Sequence, residues 1–380
     1  MMRCHVCQQP ALVTSPLYSR FKRVTSDCKP WPSGGQLGTC GNCGCVQTFA
    51  DDVWRKEIAA IYKSYTIYYQ AAGAEQNVFE QTSGRAVPRS DQLLARVQES
   101  SDLSATGRLL DIGCGNGGFL RSFHRHFPEW ALAGLEWDDK YRSEVESIPG
   151  VERLFAGGLE AVPGQFDAIS LIHVLEHIEA PETFLQKVKE KLKPGAHLII
   201  QLPHFVDNPF ELFVADHATH FDVNTIRALL DRAGYRIDRI ETTWVPKELS
   251  IIARNLDPVS RFAAVPTPSL STVLDWLEMV LKDAESIARR SSRFGLFGTS
   301  IAAAWMFGEL GEEVSFFVDE DVNRSGGNYF GRPIYQPSTI PEESDVYVVL
   351  APEVSSQVSR RLGSTGVRYH KVPEPEGRLR

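Results

Sequence analysis

Apolar residues in this chain follow two spacings, and their alternation along the sequence outlines a fold. Between residues 107 and 245, short apolar runs of strand length recur at Arg108–Ile112, Ala131–Glu136, Phe166–Ile172, His197–Gln201 and Tyr235–Thr243. Segments with helical spacing lie between them. One is Pro181–Leu192, which stops at Lys193-Pro194-Gly195; another is Val223–Arg232, with Asp222 placed as its N-cap. Strands that alternate with helices predict an α/β fold with a doubly wound, Rossmann-like parallel sheet covered on both faces. Ligands of such sheets sit beyond the carboxyl ends of the strands.

The flanks carry other patterns. Trp54, Ile58, Ile61 and Tyr62 recur at helical spacing, so residues 51–100 are expected to form a helical lid. Tyr62, Tyr65, Tyr68 and Tyr69 follow, up to a break at Gly73. They read either as a packed helix or as a source of one hydroxyl, Tyr69 among them, turned toward a substrate. Residues 256–270 are rich in Pro and Ser and read as a linker. Leu274, Leu277, Leu281, Ala284 and Ile287 then mark an amphipathic helix, so residues 251–290 are expected to be linker and helix. A second, smaller Rossmann-like α/β domain is expected over 291–380. It opens at Phe294 and places Asp319 twenty-one residues after Gly298. Ser300 and Ala303 stand where a dinucleotide fingerprint carries glycine. This unit is expected to contact substrate or dock on the rest of the chain rather than bind its own dinucleotide.

The most informative stretch is Leu109 to Leu120, LLDIGCGNGGFL. An apolar strand enters a turn through Gly113, Gly115 and Gly117 and leaves it as a helix. A loop without side chains lets a ligand lie against its backbone. Asp111 offers a carboxylate to a cationic or hydroxyl-bearing ligand. Glu136 ends the next apolar run, twenty-three residues after Gly113, where an acid accepts hydrogen bonds from ribose hydroxyls. The ribose is common to NAD and to other adenosine ligands, so the acid alone does not choose between them.

The net charge of −8 argues against a general nucleic-acid binder, whose phosphate contacts need a basic face. No apolar run approaches the roughly 18 residues of a membrane span, and residues 1–13 lack a signal-peptide core. A cytoplasmic location is expected. Six of the seven cysteines fall within the first 45 residues, which in a cytosolic protein points to metal rather than disulfides. Cys4-x2-Cys7 and Cys40-x2-Cys43 make two knuckles able to close a tetrahedral, structural zinc site over residues 1–50. Cys45 is an alternative to Cys43, Cys28 a spare thiol and Cys114 a small loop residue.

The D-x-G-x-G-x-G loop, followed by FDAISLIHVLEHI, resembles motif I and the fourth strand of class I S-adenosylmethionine (SAM) methyltransferases. That resemblance implies SAM as cofactor, with Asp111, Gly113, Gly115, Gly117, Glu136 and His173 around it and the catalytic domain over 101–250. The order of cysteine knuckles, tyrosine cluster, SAM fold and second Rossmann-like unit is similar to the sugar C-methyltransferase family, over nearly the whole chain. It implies a small-molecule acceptor: a nucleotide-linked keto-deoxysugar. The family's Tyr-x-Glu-His segment is matched by Val214-Ala215-Asp216-His217, and its Gly-Gly-Ser run is replaced by Pro246-Lys247-Glu248-Leu249-Ser250. These departures leave the acceptor atom open between a sugar carbon and a hydroxyl of a saccharide or natural product. A zinc-containing binding protein with a vestigial SAM fold is the non-enzymatic alternative.

Methyl transfer needs an aligned acceptor and a base for its proton. The segment after the fifth strand offers His204, Asp207, Asp216, His217 and His220. His217 is the favoured base, with Asp216 orienting or charging it. His177 stands one helical turn after His173 and reads as structural or positioning. Asp216-His217-x-x-His220 also has metal-ligand spacing, and His220 alternatively braces the Asp222 turn.

Overall fold

The computed structural model describes residues 2–66, 75, 77–79, 86–258, 264–363 and 366–375. Near the N-terminus, the short strands Leu12–Thr14, Leu37–Cys40 and Val46–Thr48 form an antiparallel sheet. Its fourth strand, Thr219–His220, comes from far along the chain and pairs with Gln47 and Val46. Helix α1 (Asp52–Lys63) follows, capped by the Asp51 side chain on the Trp54 N–H. It buries Trp54 and Ile61 and leaves Tyr62 47% exposed.

The lid is not helical throughout. Asn77–Phe79 and Ala86–Pro88 pair as an antiparallel hairpin before helix α2 (Arg89–Ser100). Pro88 accounts for this boundary, because it biases the residue before it to extended backbone and cannot sit inside a helix.

The central sheet runs in the order Val151–Ala156, Trp130–Glu136, Gly107–Ile112, Phe166–Ile172, Leu192–Pro203, Glu248–Arg254, Arg236–Glu241. Helices α3 (Gly118–His126), α4 (Arg142–Glu146), α5 (Pro181–Glu190) and α6 (Val223–Arg232) connect its strands. Pro181 opens α5 at its first turn, where a missing N–H costs nothing. Asp222 and Thr225 form a capping box at the start of α6. The expected His197–Gln201 strand is the middle of a longer one. Its start, Lys193–Gly195, bulges where the pairing shifts from Phe166↔Leu192 to Ala168↔His197, so α5 ends earlier than expected, at Glu190.

The sheet is not parallel throughout, and this corrects the sequence reading. Glu248–Arg254 lies antiparallel between Leu192–Pro203 and Arg236–Glu241. Only a short turn separates it from the strand before it, too little chain for the crossover that a parallel neighbour needs. Leu249, Ile251, Ile252 and Ala253 are fully buried there. The boundary expected at residue 250 therefore falls beyond Arg254.

The C-terminal unit is led by helix α7 (Leu270–Arg290). Its sheet runs Asn328–Tyr329, Arg332–Tyr335, Phe316–Val318, Phe294–Phe297, Asp345–Val348, Arg368–Lys371. Helices α8 (Ile301–Leu310) and α9 (Pro352–Leu362) belong to it. It shares one apolar core with the N-terminal segment and with the Pro209–Phe213 turn. Phe213 stacks on Trp305 at 4.5 Å between centroids, and Phe210 packs on Trp276 and Trp305. Among the described residues, no helix is long and apolar enough to cross a membrane.

Candidate active site

After the Gly107–Ile112 strand the chain turns through Gly113, Gly115 and Gly117 at φ 70°, 54° and 82°, a left-handed run that side chains resist. The Gly113 and Cys114 N–H groups donate to Leu135 O at 2.8 and 3.2 Å, which fixes the loop on the neighbouring strand. A Cβ on Gly113 would lie 2.5 Å from Val174 Cγ2. Gly113 is exposed and Gly115 half-buried, so this side of the turn is open. Glu136 accepts from the Gly115 and Trp137 N–H groups, both at 2.9 Å. A carboxylate has about four lone-pair sites, so Glu136 keeps capacity for ribose hydroxyls.

Asp111 sits differently from the sequence expectation. It is 1% exposed, beneath the turn, and accepts from Ser170 Oγ at 2.7 Å. Burial pushes its carboxyl up to about 8. It braces the loop from below rather than lining an open ligand face. Cys114 packs its sulfur on the next strand, where a Cβ on Gly134 would meet it at 2.6 Å.

The Phe166–Ile172 strand ends at His173, held at φ 56°. Its Nδ1 lies 3.2 Å from Glu176 Oε1 and its Nε2 3.3 Å from Glu248 Oε2. Burial lowers the His173 pKa well below the usual value and raises Glu176 to about 8 and Glu248 to about 7. One turn on, His177 Nδ1 is 2.9 Å from Asp216 O and 3.3 Å from Tyr62 Oη. The His177 and His217 rings meet edge to face, with centroids 4.7 Å apart.

His217 and His220 share one carboxylate. His217 Nδ1 is 2.5 Å from Glu211 Oε1, and His220 Nδ1 is 2.7 Å from Glu211 Oε2. Asp216 is therefore not the orienting partner of His217. It accepts from Ser26 N and Oγ at 2.8 and 2.5 Å and acts on His217 only through space. Burial pulls the His217 pKa down, but the Glu211 hydrogen bond and charge outweigh it and raise it to about 9. Burial and the His217 charge together lower His177 to about 4. Two touching imidazoles thus differ in charge at neutral pH, the pattern that separates an acid from a base.

Residues 86–240 match the family model described as a methyltransferase domain. A SAM-dependent methyltransferase domain occupies this stretch. The chain is 31% identical over 100 residues to the mitochondrial ubiquinone biosynthesis O-methyltransferase of Schizosaccharomyces pombe, covering 24% of this chain and 36% of that protein. It is 30% identical over 128 residues to trans-aconitate 2-methyltransferase of Methylobacterium nodulans, covering 33% and 47%. The chain spans less than half the length of these two curated relatives. A SAM-dependent methyltransferase structure from Mesorhizobium loti aligns at 20% identity and TM-score 0.36, covering 42% of this chain and 96% of that one.

Beside the methyltransferase domain, the cysteine knuckles converge. Cys4 and Cys43 sulfurs are 3.5 Å apart, as are those of Cys7 and Cys40. Four thiols this close match the edge of about 3.8 Å that Zn–S bonds of about 2.3 Å give a tetrahedron. Among the described residues, three groups lie close enough to hold a metal: Cys4, Cys7, Cys40 and Cys43; Glu176, His177 and His217; and Glu211, His217 and His220, with Glu211 in the place that sequence spacing gave to Asp216. Cys28 lies in the aromatic core.

Some candidate positions had no sequence signal. Glu211 lies inside the apolar run Pro-Phe-Glu-Leu-Phe, and an acid buried among aromatics was the one available hint. Gln201 and Ser250 face each other across adjacent strands, fully buried. Among the described residues, the Gln201 amide, Ser250 Oγ and Glu248 Oε2 have no hydrogen-bond partner. Tyr68 and Tyr69 lie outside the described residues; among those described, Tyr62 meets His177. In the C-terminal unit, Asp319 accepts from Thr299 Oγ1 and the Asp321 N–H, with Arg324 beside it.

Proposed function

We propose that this protein methylates a nucleotide-linked or polymer-linked sugar from SAM, and that the His177–His217 pair manages the acceptor's proton. The observation that carries the reading is the edge-to-face contact of the two imidazoles, 4.7 Å between centroids, with the Glu211 carboxylate bonded to His217 alone of the two. SAM fits the residues present: the exposed Gly113 and half-buried Gly115 backbone and the spare acceptor capacity of Glu136. When bound there, SAM supplies a methyl group activated by its sulfonium. The carboxyls of Glu176 and Glu248, on either side of His173, suit the cationic end of that ligand.

His177 presents a neutral ring. If its Nδ1–H donates to Asp216 O, the Nε2 lone pair is free to take a proton. For a keto-sugar this is the proton next to the carbonyl, and His217, charged and anchored by Glu211, holds the developing oxyanion. This moves the base from His217, expected from sequence, to His177, which read there as structural or positioning, because a histidine held in its charged form by Glu211 has no lone pair to accept a proton while a neutral one has. The Gln201 amide and Ser250 hydroxyl, without hydrogen-bond partners among the described residues, suit a ligand rich in hydroxyls. Asp319 is engaged within its own unit, which supports a docking role for that unit. Cys4, Cys7, Cys40 and Cys43 suit a structural zinc ion, and all four tetrahedral positions are then protein thiolates.

Incubation of nucleotide keto-sugars with the protein in deuterated water tests the reaction. Exchange of the α-proton that His177→Gln abolishes is expected for carbon methylation. Methyl transfer to a hydroxyl with no exchange would replace the carbon acceptor with oxygen.

A further inference from the structure

Distant parts of the chain hold His217 in place. His217 leads into Thr219–His220, the fourth strand of the cysteine-bearing sheet. Thr48 Oγ1 donates to His217 O at 2.9 Å, and Thr48 N–H donates to Ala218 O at 3.0 Å. His5 stands between Cys4 and Cys7. Its ring Nδ1 is 2.8 Å from Thr219 Oγ1, and its backbone N–H donates to Gln47 Oε1 at 2.8 Å. Glu211 is anchored elsewhere, in the Pro209–Phe213 turn packed on Trp276 and Trp305.

We propose that the four-cysteine knuckle is a positioning device for the acid–base pair: a metal held there fixes the Thr219 strand through His5, and so brings His217 onto Glu211. This rests on the zinc and methyltransferase readings above. A unit this small draws much of its stability from its metal. Without it, His5 and Gln47 lose their fixed places and the Thr219–His220 strand loses its partner. Glu211 stays with the Pro209–Phe213 turn, while the His217 side keeps only its short ties, His217 N–H to Val214 O and Ala218 N–H to Glu176 O, so the Glu211–His217 contact loosens. The SAM turn is held by hydrogen bonds of its own, Gly113 and Cys114 N–H to Leu135 O and Gly115 N–H to Glu136, so its binding is preserved.

His217 itself reports the coupling. Glu211, Glu176 and Asp216 face it as acids, and His177 and His220 as imidazoles. Separation from Glu211 removes the largest influence that favours its charged form. The test is a ¹³C-histidine NMR titration of the full chain before and after chelation, with His217→Gln to assign the signal and calorimetry of SAM binding alongside. Metal removal is expected to lower the His217 midpoint from about 9 by about one pH unit or more. SAM affinity should change by less than about threefold, and added zinc should restore the midpoint.

Thr219→Val cuts the His5 link with every thiol intact. It is expected to move the midpoint the same way while zinc stays bound, and Thr219→Ser to restore it. An unmoved midpoint in the metal-free protein or in Thr219→Val would overturn the proposal. So would loss of SAM binding together with the midpoint, or a purified protein that takes up no metal at these cysteines. The expected shifts with no methyl transfer to any acceptor tried would support the coupling and count against the proposed reaction instead.

Discussion

Glu211 serves two imidazoles at once, and this is what separates the charge states of His177 and His217. Burial raises a carboxyl, yet His220 and His217 outweigh it and bring Glu211 down to about 2. Turnover needs His177 neutral and His217 protonated, so kcat is expected to rise through about pH 4 and fall through about 9, read from a pH–rate profile. Glu211→Gln should draw the alkaline limb down toward 6.5; a limb left at 9 would remove Glu211 from its role. The same shifts govern stability. Glu211 stabilises the fold above about 4.5 and loses that contribution as pH falls through about 2. His217 stabilises it below about 6.5 and loses that contribution as pH rises through about 9. The stability gap between wild type and Glu211→Gln, measured by urea unfolding, should therefore be widest between about 4.5 and 6.5. At Gly113, alanine must adopt φ 70° and press on Val174. Backbone strain of about 1–2 kcal/mol should weaken SAM binding by about tenfold, and unchanged calorimetry would show the turn to be tolerant. Gly113 and Glu136 were legible because their spacing is local. Glu211 was not, because its partners are named only by the fold.

At the scale of elements, the sequence is most readable where a terminus is chemically marked. Asp222 before Val223 and Pro181 at the start of α5 each announce a helix, and both helices begin where expected. Asp222→Ala removes the capping box and also the acceptor of Thr267 Oγ1, 2.6 Å away in the segment leading to α7. A loss of about 1 kcal/mol in a denaturant midpoint is expected; no loss would mean the Thr225 hydroxyl suffices. Strands were harder to read. Glu248–Arg254 has an apolar run as strong as its neighbours, but strand direction is set by the length of connecting chain and by pairing partners. A pattern of apolar positions carries neither. The Thr219–His220 strand is shorter still, two residues whose pairing with Val46 and Gln47 spans more than 170 positions. No local pattern encodes that contact, although it places the loop with the most candidate side chains.

For the whole molecule, the aromatic core between α7, α8 and the Pro209–Phe213 turn ties the C-terminal unit to the site. Trp305 is fully buried against Phe210, Phe213 and Phe21. Trp305→Ala should cost about 3–5 kcal/mol and lower kcat more than SAM affinity, since it loosens the Glu211 turn and leaves the central sheet alone. Equal losses in both, by steady-state kinetics and calorimetry, would deny the C-terminal unit a part in the site. The cover over Phe210 and Phe213 also sets an order of events during synthesis. A ribosome delivers this chain from its N-terminus, and domains fold largely as they emerge. The glycine turn and its sheet can close once Arg254 is out, but the aromatic cover arrives only with Trp276 and Trp305. In the interval the nascent chain presents a sticky aromatic face and an unanchored Glu211. A ribosome stalled between those two points should hold a chain that captures SAM, depends on chaperones and is chemically silent.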